Sequence, residues 1–174
     1  TVVLKPADLQ PMLELLKEPP ALVITDSQVF KEVDGMLPKE IPLTSFSVLM
    51  SENKGNIGSF VEGAKAISSL RPGDRVLIME SCTHHALPDD IAREKLPRML
   101  EKYVGGKLQI ELFSGQGFPH DMEGYKLIFH CGGCMLNRKN MLSKISEAEQ
   151  YGVPMTNFGI AIAYMNEMLN RICW

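Results

Sequence analysis

Two short runs decide most of what this chain can fold into. RVLIMES, residues 75–81, and YKLIFHCG, residues 125–132, are apolar at consecutive positions and not only at alternate ones. A strand with one solvated face alternates, whereas a strand that is apolar on both faces belongs inside a parallel sheet covered by helices. The flanking segments agree. PADLQPMLELLKEP reads as a short amphipathic helix, ALVITD as a buried strand and SQVFKEVDGML as a helix. IPLTSFSVLM looks extended, and NIGSFVEGAKAISSL is a helix closed by the turn RPGD. DDIAREKLPRMLEKYVGG is a helix broken or kinked at Pro97 and stopped by Gly-Gly. LQIELFSG is a strand, MLNRKNMLSKISEAEQYG a helix, VPMTNFG a short strand and IAIAYMNEMLNRICW a final helix. The fold class expected is α/β, with a mainly parallel sheet flanked by helices and a small α/β module at the N-terminus.

At 174 residues the chain can bury a real core without a metal or disulfide staple. A net charge of −3, with the signs well mixed, gives no reason to expect nucleic acid or an anionic membrane as partner. No apolar run reaches the length of a membrane span, and there is no signal-peptide pattern. The sequence opens on Thr1 in an apolar stretch, so it reads as part of a longer chain.

Parallel sheets place ligands at the carboxyl ends of their strands, and the cysteines obey that rule. Cys82 follows RVLIMES, while Cys131 and Cys134 follow YKLIFH. Three of the four histidines, His84, His85 and His130, lie within three residues of those strand-end cysteines, and His120 lies in the loop before the second strand. Soft thiolates suit zinc, copper(I) or iron–sulfur clusters, and imidazole can complete such a set. Gly132 and Gly133 keep the C-x-x-C loop clear of side chains. A helix read from Met135 would direct its positive end at the thiols.

Four readings of these residues stay open. C-x-x-C at a strand-to-helix junction also describes a redox dithiol, although that motif needs neither a third cysteine nor histidines. A closed Cys3His zinc site has suitable donors. Three thiolates with an incomplete fourth position suit an iron–sulfur cluster, with His84 and His130 as candidates for that position. Buried, unliganded cysteines are the bland alternative. Cys173, at the end of an apolar segment, reads as a small packed hydrophobe. Arg138 and Lys139 read first as solvated helix charges, and otherwise as attraction for an anionic ligand. SGQGFP lacks the rest of a dinucleotide fingerprint, and GNIGSFVEGAK lacks the Gly-Lys-Ser/Thr of a P-loop. Met12, Met99, Met165 and Met168 fall at helical core positions.

The pair C-T-H (82–84) and H-C-G-G-C (130–134) resembles the C-x-H…H-C-x-x-C signature of HydF, the GTPase family that matures [FeFe]-hydrogenase. LVITDSQ, IPLTSFSVLM, LRPGDRVLIMESCTHH, GGKLQIELFSG and GVPMTNFGIAIAY are similar to the same family, so the resemblance spans almost the whole chain. It implies part of a dimerisation module at residues 1–47 and an iron–sulfur cluster-binding domain at 48–174. It further implies a [4Fe-4S] cluster on Cys82, Cys131 and Cys134, with a fourth site that is exchangeable and held by His130, His84 or a small ligand. The implied role is that of a scaffold and carrier. It takes a diiron precursor from radical-SAM maturases and delivers it to the [FeFe]-hydrogenase apo-protein, as a cytoplasmic homodimer. GTP would bind only in a domain missing from this chain, and the segment itself would not be an enzyme. The rival classes are an open-site iron–sulfur hydro-lyase, a dithiol oxidoreductase and a zinc-stabilised interaction module.

Overall fold

Ser45 closes a strand and caps a helix, and that double duty shapes the N-terminal module. The computed structural model describes residues 1–81, 90–115 and 117–173. After a first helix, α1 (Leu9–Leu15), strand β1 (Val23–Thr25) leads through α2 (Phe30–Met36) to β2 (Leu43–Ser45), and β1 pairs with β2 in parallel. The expectation that 41–50 is extended fails after Ser45. The Ser45 side chain accepts the N–H of Val48, and α3 (Phe46–Lys54) begins at once, burying Val48 and Ser51 on its inner side. A serine at the N-cap satisfies a helix-end donor, and this outweighs the strand-like composition of Phe-Ser-Val.

A second short helix, α4 (Ile57–Lys65), precedes the main sheet. That sheet has four strands, β3 (Arg75–Glu80), β4 (Gln109–Ser114), β5 (Tyr125–His130) and β6 (Met155–Asn157), all parallel and ordered β4-β3-β5-β6. The doubly apolar runs occupy the two central positions, where Val76, Leu77, Ile78, Leu127, Ile128 and Phe129 are fully buried. β4 mixes polar and apolar residues and lies at an edge, with most of its side chains exposed.

Helices flank this sheet. The segment after Asp90 starts as one π-helical turn (Ile91–Lys95) and becomes α5 (Leu96–Val104) around Pro97, which has no N–H to continue a regular ladder. Gly105, at φ +77°, ends α5, as a glycine in the left-handed region should. α6 (Arg138–Gln150) starts three residues later than the sequence pattern indicates, because Asn137 caps it through the N–H of Asn140. α7 (Phe158–Met165) follows β6 directly, its cap supplied by Asn157 Oδ1 on the N–H of Ile160.

The α4 helix packs on β6 without space for a side chain between them. A Cβ added at Gly63 would lie 2.0 Å from the carbonyl oxygen of Met155. Gly63→Ala gains about 1 kcal/mol of helix propensity but forces two backbones apart, at about 3 kcal/mol. The expected net loss is about 2 kcal/mol in a urea unfolding curve, and an unchanged midpoint would show that α4 lifts freely.

The C-terminus departs from the expected long helix. α7 stops at Met165, and Glu167 takes a left-handed φ of 60° while the N–H of Met168 returns to the carbonyl of Ala163. The chain then crosses to the N-terminal module. Ile172 bridges Leu43 in parallel, and the N–H of Cys173 donates to the Leu43 carbonyl at 2.9 Å. Arg171 Nε pairs with Asp34 Oδ1 at 2.6 Å. Burial raises the Asp34 pKa, but hydrogen bonds from Lys39 and Arg171 and their charges outweigh it, so the carboxyl ends below its ordinary range. Cys173 is consequently exposed on an extended segment and is not a packed hydrophobe.

Candidate metal centre

The sheet order fixes where a ligand belongs. From β3 the chain adds β4 on one side, then returns to add β5 and β6 on the other. The strand order therefore reverses between β3 and β5, and the crevice beyond their carboxyl ends is the expected binding position. Met79 on β3 is level with His130 on β5, so the residues just past each strand meet there.

Cys131 is buried at that point, its N–H donating to the Met79 carbonyl at 2.8 Å. Its Sγ accepts the backbone N–H of Ser81 at 3.3 Å. A backbone donor from the end of the neighbouring strand is thus already directed at this sulfur. Cys82 is the residue bonded to Ser81, and it lies outside the described residues together with His84 and His85. The described parts of that connection are anchored at both ends. Glu80 and Asp90 are tied through Arg93, at 2.9 Å and 3.5 Å. Cys134 is exposed, on the turn that leads to α6.

His130 is fully buried behind Cys131. Nδ1 lies 2.6 Å from the Cys131 carbonyl oxygen and Nε2 lies 2.9 Å from Ser81 Oγ. A carbonyl only accepts, so Nδ1 carries the proton, and the Nε2 lone pair accepts from the Ser81 hydroxyl. Both ring nitrogens are thereby engaged. Burial drives the His130 pKa down to about 4, with the Cys131 carbonyl opposing the shift and the Lys144 charge adding to it, so the ring is neutral.

The site also contains residues that the sequence did not single out. Lys144, in the middle of α6, is buried, donates to the Gly117 carbonyl at 3.3 Å and lies 5.3 Å from the centroid of the Phe118 ring. Burial lowers its pKa, and the charges of Glu147 and Cys131 oppose that shift. Lys54, from α3, donates to the carbonyl of Cys134 at 2.6 Å. Neither has a sequence signal, since lysines at such helix positions usually face solvent. Arg138 Nη1 binds the carbonyls of Asn53 and Gly55 at the end of α3, so this part of its guanidinium is engaged within the protein. α6 begins at Arg138, four residues past Cys134, with Asn137 as its N-cap. A cavity of about 140 Å³, lined by Ser27, Ser47, Phe158 and Gly159 among others, opens beside Gly132 of the thiol loop.

The donor set suits a soft metal centre. Cys131 and Cys134 share one loop, Cys82 follows the neighbouring strand, and a backbone N–H is already directed at sulfur. Among the described residues, no group of three or more His, Cys, Asp or Glu side chains is placed to hold a metal ion, and Cys82 is not among those residues.

Fold and site together define an open parallel α/β domain with a thiol loop at the reversal of its strand order, joined to a smaller α/β module. Residues 58–173 match the hydrogen maturase F tetramerization domain and residues 1–55 match the hydrogen maturase F dimerization domain, so the chain belongs to the hydrogen maturase F family. Those two domains indicate a role in hydrogenase maturation and, in their descriptions, self-association. Comparison with curated proteins finds no match. Among the described residues, no helix is long and apolar enough to cross a membrane.

Proposed function

We propose that the chain is the scaffold and carrier portion of a hydrogenase maturase. In this reading Cys82, Cys131 and Cys134 hold a [4Fe-4S] cluster with an exchangeable fourth position. One observation carries the assignment: the N–H of Ser81, the residue bonded to Cys82, donates to Cys131 Sγ across the β3–β5 switch point. A bound cluster would supply an open iron site for exchange with an incoming ligand. The protein's own residues do the holding. Cys131 anchors from a strand end, Cys134 from the turn before α6, and His130 orients both Ser81 and the Cys131 carbonyl. Because Nε2 of His130 is engaged by Ser81, we assign it a supporting position, and this leaves His84 or a small exogenous ligand for the fourth site.

The cargo is a diiron precursor, received from radical-SAM maturases and passed to apo-hydrogenase in the cytoplasm by a homodimer. GTP binding belongs to a domain outside this segment, and the segment performs no catalysis of its own. Residues 1–47 serve association, and 48–174 serve the cluster. Anaerobic reconstitution with iron and sulfide is expected to give about four irons per chain. The reduced protein should show an EPR signal that shifts on adding imidazole or cyanide. Stoichiometric zinc without iron would place the chain among zinc-stabilised interaction modules. A redox-active Cys131–Cys134 disulfide without iron would make it a dithiol oxidoreductase, and turnover of a hydroxy acid would make it a hydro-lyase.

A further inference from the structure

Two cations cross between α3 and the thiol loop in opposite directions. Lys54, in the last turn of α3, sends Nζ to the carbonyl oxygens of Cys134, at 2.6 Å, and Gly133, at 3.3 Å. Arg138, the first residue of α6, sends Nη1 to the carbonyls of Glu52, Asn53 and Gly55, at 3.2, 2.9 and 2.9 Å. Each contact bridges positions about eighty apart in sequence, so local geometry does not impose them.

Physical chemistry explains why the pairs form. The last carbonyls of a helix lack intrahelical donors and carry the negative end of its dipole, so the end of α3 attracts a guanidinium. Arg138 is poorly placed for its own helix, whose N-terminus repels a cation, and the α3 carbonyls offset that cost. On the other side, the loop from Cys131 to Asn137 has no regular structure and contains a glycine pair, with Gly133 at φ +62°. Its turn is closed internally by the N–H of Leu136 on the Gly133 carbonyl, at 2.9 Å. Lys54 grips the same turn from outside, and a charged donor on a carbonyl is about twice as strong as a neutral one.

We propose that Lys54 and Arg138 form a reciprocal clasp, in which Lys54 is the positioning residue for the Cys134 thiolate and the fixed cation beside it. The proposal rests on Cys134 being a cluster ligand, and it ties that ligand to α3, the last helix of the segment matching the dimerization domain. Of the thiols described at the site, Cys131 is held by the sheet, whereas Cys134 depends on this clasp for its place.

The test uses the whole chain with Lys54→Met, which keeps the aliphatic stem, Lys54→Arg, which keeps a cationic donor, and Arg138→Met. In the metal-free protein, amide hydrogen exchange at residues 134–137 should speed up about tenfold in Lys54→Met and in Arg138→Met. The double variant should show less than the sum, because each contact holds the same junction. In the iron-loaded protein, Lys54→Met should lose iron to a ferrous chelator about tenfold faster and show a lower midpoint potential, with Lys54→Arg restoring both. Unchanged exchange in Lys54→Met would remove the clasp. Faster exchange with unchanged chelation rate and potential would reduce Lys54 to a structural tether and overturn its role toward Cys134. A wild-type chain that binds no iron overturns the cluster reading and, with it, that role, while the exchange measurement still decides the clasp.

Discussion

Cys131→Ser is expected to take the anaerobically reconstituted chain from about four irons to below about one. The substitution keeps nearly the same volume, so the fold should survive and the loss should be chemical. Cys131 is buried at the end of β5, its backbone N–H pairs with Met79, and the Ser81 N–H points at its sulfur. An alkoxide is a hard, strongly basic donor at neutral pH, where a thiolate is soft and accessible. Cys82→Ala should have the same effect, which makes it a direct test of a residue outside the described structure. Cys173→Ser is the matched control. That cysteine is exposed on the segment beside β2, hydrogen-bonded to Leu43, and its loss should leave iron unchanged. Iron content is read by chelation assay alongside circular dichroism. Four irons retained in Cys131→Ser would rule out the three-thiolate set, and loss in Cys173→Ser would mean that the set had been drawn wrongly.

The sheet was legible because its central strands are apolar on both faces, a pattern that fits few environments. RVLIME and YKLIFH are the inner pair, and their adjacency brings the residues after each strand to one edge, as the cysteine positions require. Element ends were less legible, since they turn on single caps. Ser45 converts an apparently extended segment into a helix, and Asn137 delays the start of α6. At the C-terminus, the apolar periodicity of 160–172 continues past the helix because Ile172 is buried against the N-terminal module and not along α7. Periodicity reports burial without saying which neighbour provides it. The charged residues around the thiols were the least legible of all. Lys54, Arg138 and Lys144 occupy ordinary helix positions, and only the tertiary fold brings them to distant carbonyls.

His130→Ala should lower the stability of the metal-free chain by about 4 kcal/mol. The ring is fully buried, so its removal leaves a cavity, and it also leaves the Cys131 carbonyl and the Ser81 hydroxyl without their partner at this junction. Ser81→Ala removes one of those contacts without a cavity and should cost about 1 kcal/mol. The pH dependence follows from the neutral ring. Burial holds the folded pKa at about 4, below the ordinary value of 6.5, and Lys144 on α6 is the charged neighbour that reinforces the shift. Between those values the unfolded chain binds the proton and the folded chain does not, so stability rises with pH in that window. The contribution is complete above about pH 6.5 and disappears as the pH falls toward 4. Its full size is about 3 kcal/mol. His130→Gln, which cannot titrate, should show a flatter profile of urea midpoint against pH over that range, although it is less stable at neutral pH. Parallel profiles for the two proteins would mean that the imidazole takes a proton without disturbing the Ser81–His130–Cys131 junction, and the supporting position assigned to His130 would fail.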